Sequence, residues 1–181
     1  MKEIIFAGFG GQGVLTGGLV IAEMASRKDR SAVWMPAYGP TMRGGKANCV
    51  VKYGETAEEQ VGSPIMEEAD ILVAMNQPSL DYLEFCKPGV TIFANMHNIS
   101  ADYIFPEGSK VVRLDCAELA EKAKNPKGQS LVMVGAIMRY LHLFDADFAR
   151  TCLDEFFAKK GKNAYAEANR RAFDAGYEAA V

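Results

Sequence analysis

Three glycines near the start of the chain stand where an anion could approach the backbone. Gly8, Gly10 and Gly13 fit a G-x-G-x-x-G pattern between a short apolar run and an amphipathic stretch. A turn without side chains exposes its N–H groups, and the amino end of the following helix adds a partial positive charge. Gln12 and Thr16 could form hydrogen bonds at the edge of such a site. The pattern predicts either an anion or nucleotide site or a tight turn whose glycines only let the helix pack against the sheet.

A second loop with the composition of a binding segment follows the next apolar run. Its sequence is Tyr38-Gly39-Pro40-Thr41-Met42-Arg43-Gly44-Gly45. The guanidinium group of Arg43 is a bidentate donor for anions, and the two glycines after it can form a nest of N–H groups. Tyr38 adds a flat ring and a hydroxyl. Because the loop follows a strand, we expect it at the carboxyl edge of a sheet, where open α/β folds bind ligands. There it would lie near residues 8–13, which we call the glycine loop. The alternative is a surface loop with an incidental arginine.

Buried-strand runs alternate with amphipathic stretches along the chain. Strands are predicted over 4–7, 32–35, 47–53, 71–75, 90–94 and 110–114, and helices over 14–27, 78–85, 116–124, 130–144, 147–160 and 164–180, with a further short helical segment from 63. The first 36 residues predict a β-α-β unit, and residues 36–46 a loop. We expect an α/β fold, Rossmann-like and doubly wound, with a mostly parallel sheet and a C-terminal helical segment. Residues 1–181 are expected to form one domain.

The composition excludes several classes of protein. A net charge of −3 and an isoelectric point near 5.5 argue against a nucleic-acid binder. The four cysteines contain no C-x-x-C pair and the two histidines are far apart, which argues against a metal or iron–sulfur site in this chain. No run approaches the roughly 20 apolar residues that span a bilayer. The first apolar run is also too short for a signal peptide, so a soluble cytoplasmic protein without a membrane partner is expected.

A nicotinamide cofactor makes a further demand on the glycine loop. The second strand should end in a carboxylate that holds the adenine ribose. Here that strand ends Met35-Pro36-Ala37, and Asp29 precedes the strand. The dinucleotide motif is therefore half complete, and a free-standing nucleotide- or NAD(P)-binding protein is the alternative interpretation.

Taken together, the two loops resemble the gamma subunit of the 2-oxoacid:ferredoxin oxidoreductases. The resemblance rests on Gly8-Phe9-Gly10-Gly11-Gln12-Gly13-Val14, Tyr38-Gly39-Pro40-x-x-Arg43-Gly44-Gly45, Ala47-Asn48-Cys49, Ser63-Pro64, and Ala69-Asp70 leading to Met75-Asn76-Gln77. These residues span the first half of the chain. The form Arg-Gly-Gly-x-Ala-Asn-Cys is more similar to the 2-oxoglutarate and branched-chain members than to the pyruvate members. Thr41 departs from the family pattern, which often has Glu there.

This resemblance implies a division of labour within a complex. Such enzymes decarboxylate a 2-oxoacid on thiamine diphosphate, pass electrons through iron–sulfur clusters to ferredoxin, and transfer the acyl group to coenzyme A. Thiamine diphosphate, magnesium and the clusters would belong to partner alpha, beta and ferredoxin-like delta subunits. This chain would bind no cofactor alone, hold no metal, supply no catalytic residue, and be inactive in isolation.

The candidate ligand- or interface-binding residues lie in three short segments. They are Gly8, Phe9, Gly10, Gly11, Gln12, Gly13, Tyr38, Gly39, Pro40, Arg43, Gly44, Gly45, Asn76 and Gln77. One interpretation is that they cradle an anion, such as a phosphate of coenzyme A or the substrate carboxylate. Another is that they form an interface that closes the active site of the complex. A purely structural α/β subunit without a ligand is a third.

Overall fold

One six-stranded sheet forms the centre of the protein. The computed structural model describes residues 1–39, 44–63, 65 and 67–180. The strands are β1 (Lys2–Phe9), β2 (Ala32–Tyr38), β3 (Lys46–Tyr53), β4 (Ala69–Ala74), β5 (Cys86–Asn95) and β6 (Lys110–Leu114), in the spatial order β2-β3-β1-β4-β5-β6. Only β3 runs antiparallel to its neighbours, and β1, β4, β5 and β6 pair in parallel. The expected mostly parallel sheet is confirmed.

The two faces of the sheet are covered differently. The α-helices are α1 (Val14–Ser26), α2 (Cys116–Lys122), α3 (Gln129–Leu141), α4 (Ala146–Lys159) and α5 (Ala166–Ala179), and two 3₁₀ helices span Gln77–Phe85 and Asn163–Tyr165. All five α-helices pack in one core with strand residues such as Phe6 and Val73. The opposite face, which includes Ile5 and Leu72, is covered by the first 3₁₀ helix and by the loop after β5. The α/β class with a helical C-terminal part is confirmed, but in the described residues the second layer is thin.

Helices α3 and α5 cross in close contact. At Gly135 an added Cβ would overlap the main-chain carbonyl of Phe173, and at Gly176 it would overlap that of Val132. Only glycine permits this approach of the two backbones. The contact holds α5 beside the amino-terminal half of α3.

Three features of the sheet differ from the sequence-based expectation. β2 continues through Pro36 to Tyr38 instead of ending at Met35, because it is the outer strand, where a proline is tolerated. β5 begins at Cys86 and includes the predicted Pro88-Gly89 turn, where the pairing with β4 shifts register. β3 is inserted between β1 and β2, so the predicted β-α-β unit joins two strands that run in the same direction but are not neighbours.

Part of one expected segment lies outside the described residues. The short helix predicted from 63 includes residues 64 and 66, whereas Ser63 and Ile65 are described and are not helical. Across the described ranges, no helix is long and apolar enough to cross a membrane.

Candidate functional site

The glycine loop lies at the carboxyl edge of the central strands. β1 pairs with β3 as far as Phe9, and it pairs in parallel with β4 on its other side. Gly11 has a φ of 105° and Gly13 a φ of 76°, a left-handed backbone that glycine adopts without strain. Nothing lies within 4 Å of a Cβ built on Gly11, so the tip of the loop is open. At Gly8, by contrast, a Cβ would come within 2.7 Å of Val14. Gly8 therefore permits close packing against Val14, whereas the backbone at Gly11 is open to solvent space.

Main-chain hydrogen bonds join the glycine loop to the second loop. The N–H of Gly10 donates to the carbonyl of Gly45 over 2.9 Å, and the N–H of Gly44 is 3.4 Å from the carbonyl of Gly10. Gly39 donates to Lys46 at 2.8 Å and closes the base of the second loop. The two candidate loops are therefore neighbours in space. The candidates Pro40 and Arg43 lie outside the described residues.

These bonds decide which donors of the glycine loop are left for a ligand. Gly10 donates to the second loop, Gln12 N–H donates to the carbonyl of Phe9 at 3.0 Å, and Phe9 N–H donates to Gln12 Oε1 at 2.7 Å. Among the described residues, no acceptor meets the N–H of Gly11 or Gly13. The first turn of α1 likewise has no side-chain cap. An anion at this edge would therefore meet the N–H groups of Gly11, Gly13 and the first turn of α1.

A network of side-chain amides fixes the glycine loop to the neighbouring strands. Asn76 Nδ2 donates to Gln12 Oε1 at 2.9 Å, and Gln12 Nε2 donates to the carbonyl of Met75 at 3.3 Å. The same carbonyl lies 3.3 Å from the amide nitrogens of Asn95 and Asn98. Buried polar groups are stable only when they are hydrogen-bonded, so this network ties β1, β4 and β5 together. Asn95 and Asn98 were not among the predicted site residues, and their only signal in the sequence is their place after a predicted strand.

Asn76 and Gln77 have structural partners of their own. Asn76 Oδ1 accepts from the N–H and the hydroxyl of Ser79, at 3.1 and 2.7 Å, and caps the first 3₁₀ helix. Gln77 Oε1 accepts from Ser100 N–H at 3.0 Å. Asn76 therefore connects the glycine loop to the 3₁₀ helix, while Gln77 contacts the loop after β5.

Exposed polar groups surround the two loops on the side of β3. Tyr38, at the end of β2, is 56% exposed. Lys46 and Asp81 form an exposed ion pair at 3.0 Å, and Asn48 donates to the hydroxyl of Tyr82 at 2.6 Å. An exposed aromatic ring with polar neighbours suits either stacking on a ligand or contact with another subunit.

The titratable groups provide no reactive thiol. Burial raises the pKa of Cys49 to about 12 and that of Cys86 to about 11, so both thiols are protonated at neutral pH. Burial likewise raises the pKa of Cys116 and Cys152. Within the described ranges, no group of three or more His, Cys, Asp or Glu side chains is arranged to hold a metal ion. What the described site offers a ligand is hydrogen bonding and shape.

The sheet order also bears on the dinucleotide alternative. A Rossmann site needs the strand after the first helix to lie beside β1, so that its final carboxylate meets the ribose. Here the neighbour is β3, which is antiparallel to β1 and ends with Tyr53 at the opposite edge. The end of β2 is one strand further away and has no carboxylate. The structure therefore disfavours this mode of cofactor binding.

Comparison with known proteins gives a consistent result. The sequence model of the family described as "Pyruvate ferredoxin/flavodoxin oxidoreductase" matches residues 3–179. Ketoisovalerate oxidoreductase subunit VorA of Methanothermobacter thermautotrophicus is 36% identical over 180 residues, which cover 97% of this chain and 36% of the relative. The chain thus spans about a third of the length of that relative. The 2-oxoglutarate synthase subunit KorC of Methanocaldococcus jannaschii is 30% identical over 183 residues, which cover 99% of this chain and 94% of the relative.

A crystal structure extends the likeness to the fold. The gamma subunit of a keto/oxoacid ferredoxin oxidoreductase from Geobacter sulfurreducens superposes with a TM-score of 0.81 at 25% identity, covering 99% of this chain and 98% of that one. The family match, the KorC relative and the Geobacter structure all agree with the resemblance seen in the two loops. This chain belongs to the pyruvate ferredoxin/flavodoxin oxidoreductase family.

Proposed function

We propose that this chain is the gamma-type subunit of a thiamine diphosphate-dependent 2-oxoacid:ferredoxin oxidoreductase. The observation that carries the proposal is the end-to-end likeness to a gamma subunit, over 99% of this chain and 98% of that chain. The complex would convert a 2-oxoacid to an acyl-CoA and pass the electrons to ferredoxin. Alpha, beta and ferredoxin-like delta partners would hold thiamine diphosphate, magnesium and iron–sulfur clusters in a cytoplasmic assembly. Residues 1–181 would form one gamma-type domain.

Within that complex, the carboxyl edge of the sheet would bind an anionic group. The N–H groups of Gly11 and Gly13 and the open amino end of α1 support this role, because they are donors without an acceptor in the described structure. Arg43, which directly precedes Gly44 in the sequence, would add a charged donor. The anion would be a phosphate of coenzyme A or the carboxylate of the 2-oxoacid.

A second role for the same loops is an interface that closes the active site. Tyr38 favours it, because a large aromatic side chain that is 56% exposed is typical of subunit contacts. The two roles differ in what a mutation would change. Loss of an anion contact alters the affinity for a substrate, whereas loss of an interface alters assembly.

The first experiment tests the subunit assignment. The chain is expressed with and without its partner subunits, purified by a tag on this chain, and assayed for 2-oxoacid-dependent reduction of a viologen dye. We expect a co-purified iron–sulfur complex whose activity requires this chain. A chain that purifies alone beside its partners and binds a nicotinamide cofactor would overturn the assignment in favour of a free-standing nucleotide-binding protein.

The second experiment separates the two roles. In the assembled complex, Arg43→Ala should raise the KM for coenzyme A or for the 2-oxoacid about 10- to 100-fold, since a hydrogen bond to a charged group contributes roughly 1.5–3 kcal/mol. Arg113→Ala, on the exposed surface of β6, is the matched control and should leave both KM values unchanged. A normal KM with loss of the partners from the purified complex would favour the interface.

A further inference from the structure

A cavity lies on the helical side of the sheet, next to the glycine loop. It has a volume of about 380 Å³ and opens where the amino ends of α1 and α3 approach α5. Gly13 and Thr16 line it from α1, Ser130 from α3 and Asn169 from α5. The close crossing of α3 and α5 at Gly135 fixes two of its walls. The walls of the cavity are therefore formed by closely packed helices.

α1 and α3 begin at this cavity without a side-chain cap, and α5, which follows the second 3₁₀ helix there, has none either. α1 starts after Gly13 and α3 after Gly128, and neither has a side chain that accepts from its first N–H groups. α2 and α4 are different, because Asp115 and Asp145 cap them. The free N–H groups of a helix start favour a negative charge, and here two such starts lie at one cavity.

Two buried polar side chains also line the cavity with unused hydrogen-bonding capacity. Ser130 is 4% exposed, and its hydroxyl occupies the space that a side chain on Gly13 would need. Asn169 is 7% exposed, and its Oδ1 accepts from Asn125 Nδ2 at 3.0 Å. Among the described residues, no partner meets the Ser130 hydroxyl or the Asn169 amide nitrogen. The Ser130 hydroxyl and the Asn169 amide nitrogen are therefore free to donate to an acceptor that enters the cavity.

The charge at the cavity is positive, although the chain as a whole carries −3. Lys127 and Lys162 line the cavity, and neither forms an ion pair with any described residue. The lining, as far as it is described, includes no Asp or Glu. Tyr165, which is 62% exposed, adds a flat ring at the same wall. An aromatic ring beside unpaired cations suits a base that carries a phosphate.

We propose that this cavity is a phosphate subsite for a nucleotide-like ligand, held by the first turns of α1 and α3, Ser130, Asn169, Lys127 and Lys162. The subsite shares the first turn of α1 with the anion site proposed above, but it needs neither Arg43 nor Gly11, and its other residues lie outside the two candidate loops. It does not rest on the proposed subunit function. The phosphate could belong to coenzyme A or to a separate nucleotide.

The test is isothermal titration of the full chain, and of the assembled complex, with inorganic pyrophosphate as the probe. We expect saturable binding that weakens about tenfold in the Lys127→Gln/Lys162→Gln double variant, since each exposed charge pair contributes only a small free energy of binding. Ser130→Ala, which removes one hydroxyl and adds no atom, should also weaken binding. Lys28→Gln/Lys110→Gln removes the same charge elsewhere and should bind as the unaltered chain does. Urea unfolding midpoints check that each variant is folded.

Further ligands identify the source of the phosphate. Equal binding of coenzyme A and dephospho-coenzyme A would assign the subsite to a diphosphate, and loss of binding with dephospho-coenzyme A would assign it to the 3′-phosphate. Lysine-dependent binding of ADP without binding of coenzyme A would indicate a separate nucleotide. The proposal is overturned if no phosphate compound binds at millimolar concentration, or if the lysine double variant binds as well as the unaltered chain.

The subsite and the subunit assignment can fail separately. Arg43→Ala should leave pyrophosphate binding unchanged if the cavity is the site. If a chain that joins no complex binds pyrophosphate in a lysine-dependent way, the phosphate subsite is supported and the gamma-subunit assignment is refuted. If the complex is active but pyrophosphate binding does not depend on Lys127 and Lys162, the subunit assignment is supported and the phosphate subsite is refuted.

Discussion

At the scale of single residues, Gly13 is the most constrained position of the candidate site. Its φ of 76° suits glycine, and an added Cβ would meet the hydroxyl of Ser130. Gly13→Ala should therefore lower the free energy of unfolding by about 2–5 kcal/mol, from roughly 1–2 kcal/mol of left-handed strain together with overpacking of about 1–3 kcal/mol. Urea unfolding followed by circular dichroism measures the change.

Gly11→Ala supplies the matched control. Gly11 also has a positive φ, of 105°, but nothing lies within 4 Å of its Cβ position. It should show the conformational cost alone, so the difference between the two variants measures the contact with Ser130. Adding Ser130→Ala to Gly13→Ala should recover part of that difference. Equal destabilisation by the two glycine variants would contradict this assignment.

A buried ion pair gives a second prediction at this scale. Lys52 Nζ lies 2.9 Å from Glu3 Oε1, and the two side chains are only 3% and 8% exposed. Lys52→Met leaves a buried carboxylate without its cation, and should destabilise the protein by roughly 3–5 kcal/mol. Chemical denaturation measures the loss.

The double variant Glu3→Gln/Lys52→Met separates the pair from its surroundings. It removes both charges, so most of the loss should be recovered, since a neutral pair of similar size is often as stable as the buried ions. No recovery would mean that Lys52 stabilises the fold mainly through its bond to the carbonyl of Ile65, at 2.9 Å.

Residue types predicted where the two loops lie along the chain better than they predicted the contacts between distant residues. The glycine punctuation predicted a turn over Gly8 to Gly13 between a strand and a helix; in the structure β1 includes Gly8 and Phe9, and the turn before α1 is residues 10–13. The contacts of Gln12 with Met75 and Asn76 join residues about sixty positions apart, and no local sequence pattern predicts such a pair. The cavity beyond Gly13 was missed for the same reason, because it needs α5 to fold back onto α3.

At the scale of elements, strand runs were predicted well and their pairing was not. The run at 47–53 is apolar because both faces of β3 are largely buried, and this pattern is the same for parallel and antiparallel strands. Its insertion between β1 and β2 follows from its antiparallel pairing with both strands, which the alternation of strand and helix runs does not predict. Pro36 led the sequence analysis to end β2 early, since a proline argues against an inner strand but is tolerated in an outer one.

The cap of α2 makes a prediction about pH. Asp115 accepts from Glu118 N–H at 2.9 Å, and this bond, with His97 nearby, lowers the pKa of the Asp115 carboxyl. A lowered pKa in the folded state contributes stability above the unfolded value of about 3.9, and the contribution is lost as the pH falls through the folded value. The melting temperature of Asp115→Asn should therefore lie below that of the unaltered chain at pH 7, and the gap should narrow progressively as the pH falls below about 4.

Thermal unfolding between pH 3 and 8 tests this, with a surface carboxyl as the control. Glu107 is exposed and forms no ion pair with a described residue. Glu107→Gln should shift the melting temperature little at any pH. A gap for Asp115→Asn that stays constant as the pH falls would show that the shape of the cap, and not its charge, stabilises α2.

At the scale of the whole molecule, the sheet places the candidate site on its most stable part. β1 and β4 each have a strand on both sides, and Ile5 and Leu72 at their centres are fully buried. β2 is the outer strand, and its side chains are exposed or half-buried. Local opening is easiest where few groups are buried. The loops that follow β1 and β4 are therefore attached to strands that rarely open.

Native-state hydrogen exchange should resolve this gradient. Amides in the centres of β1 and β4 should exchange only through global unfolding, whereas those of β2 should exchange at least about 100-fold faster through local opening, a difference of roughly 3 kcal/mol. The comparison is made within one sample, so differences in solvent or temperature cannot produce it. Protection of β2 equal to that of β1 would contradict the prediction. If such protection rose with protein concentration, it would show that the open edge of β2 pairs with a second chain, as exposed strand edges readily do.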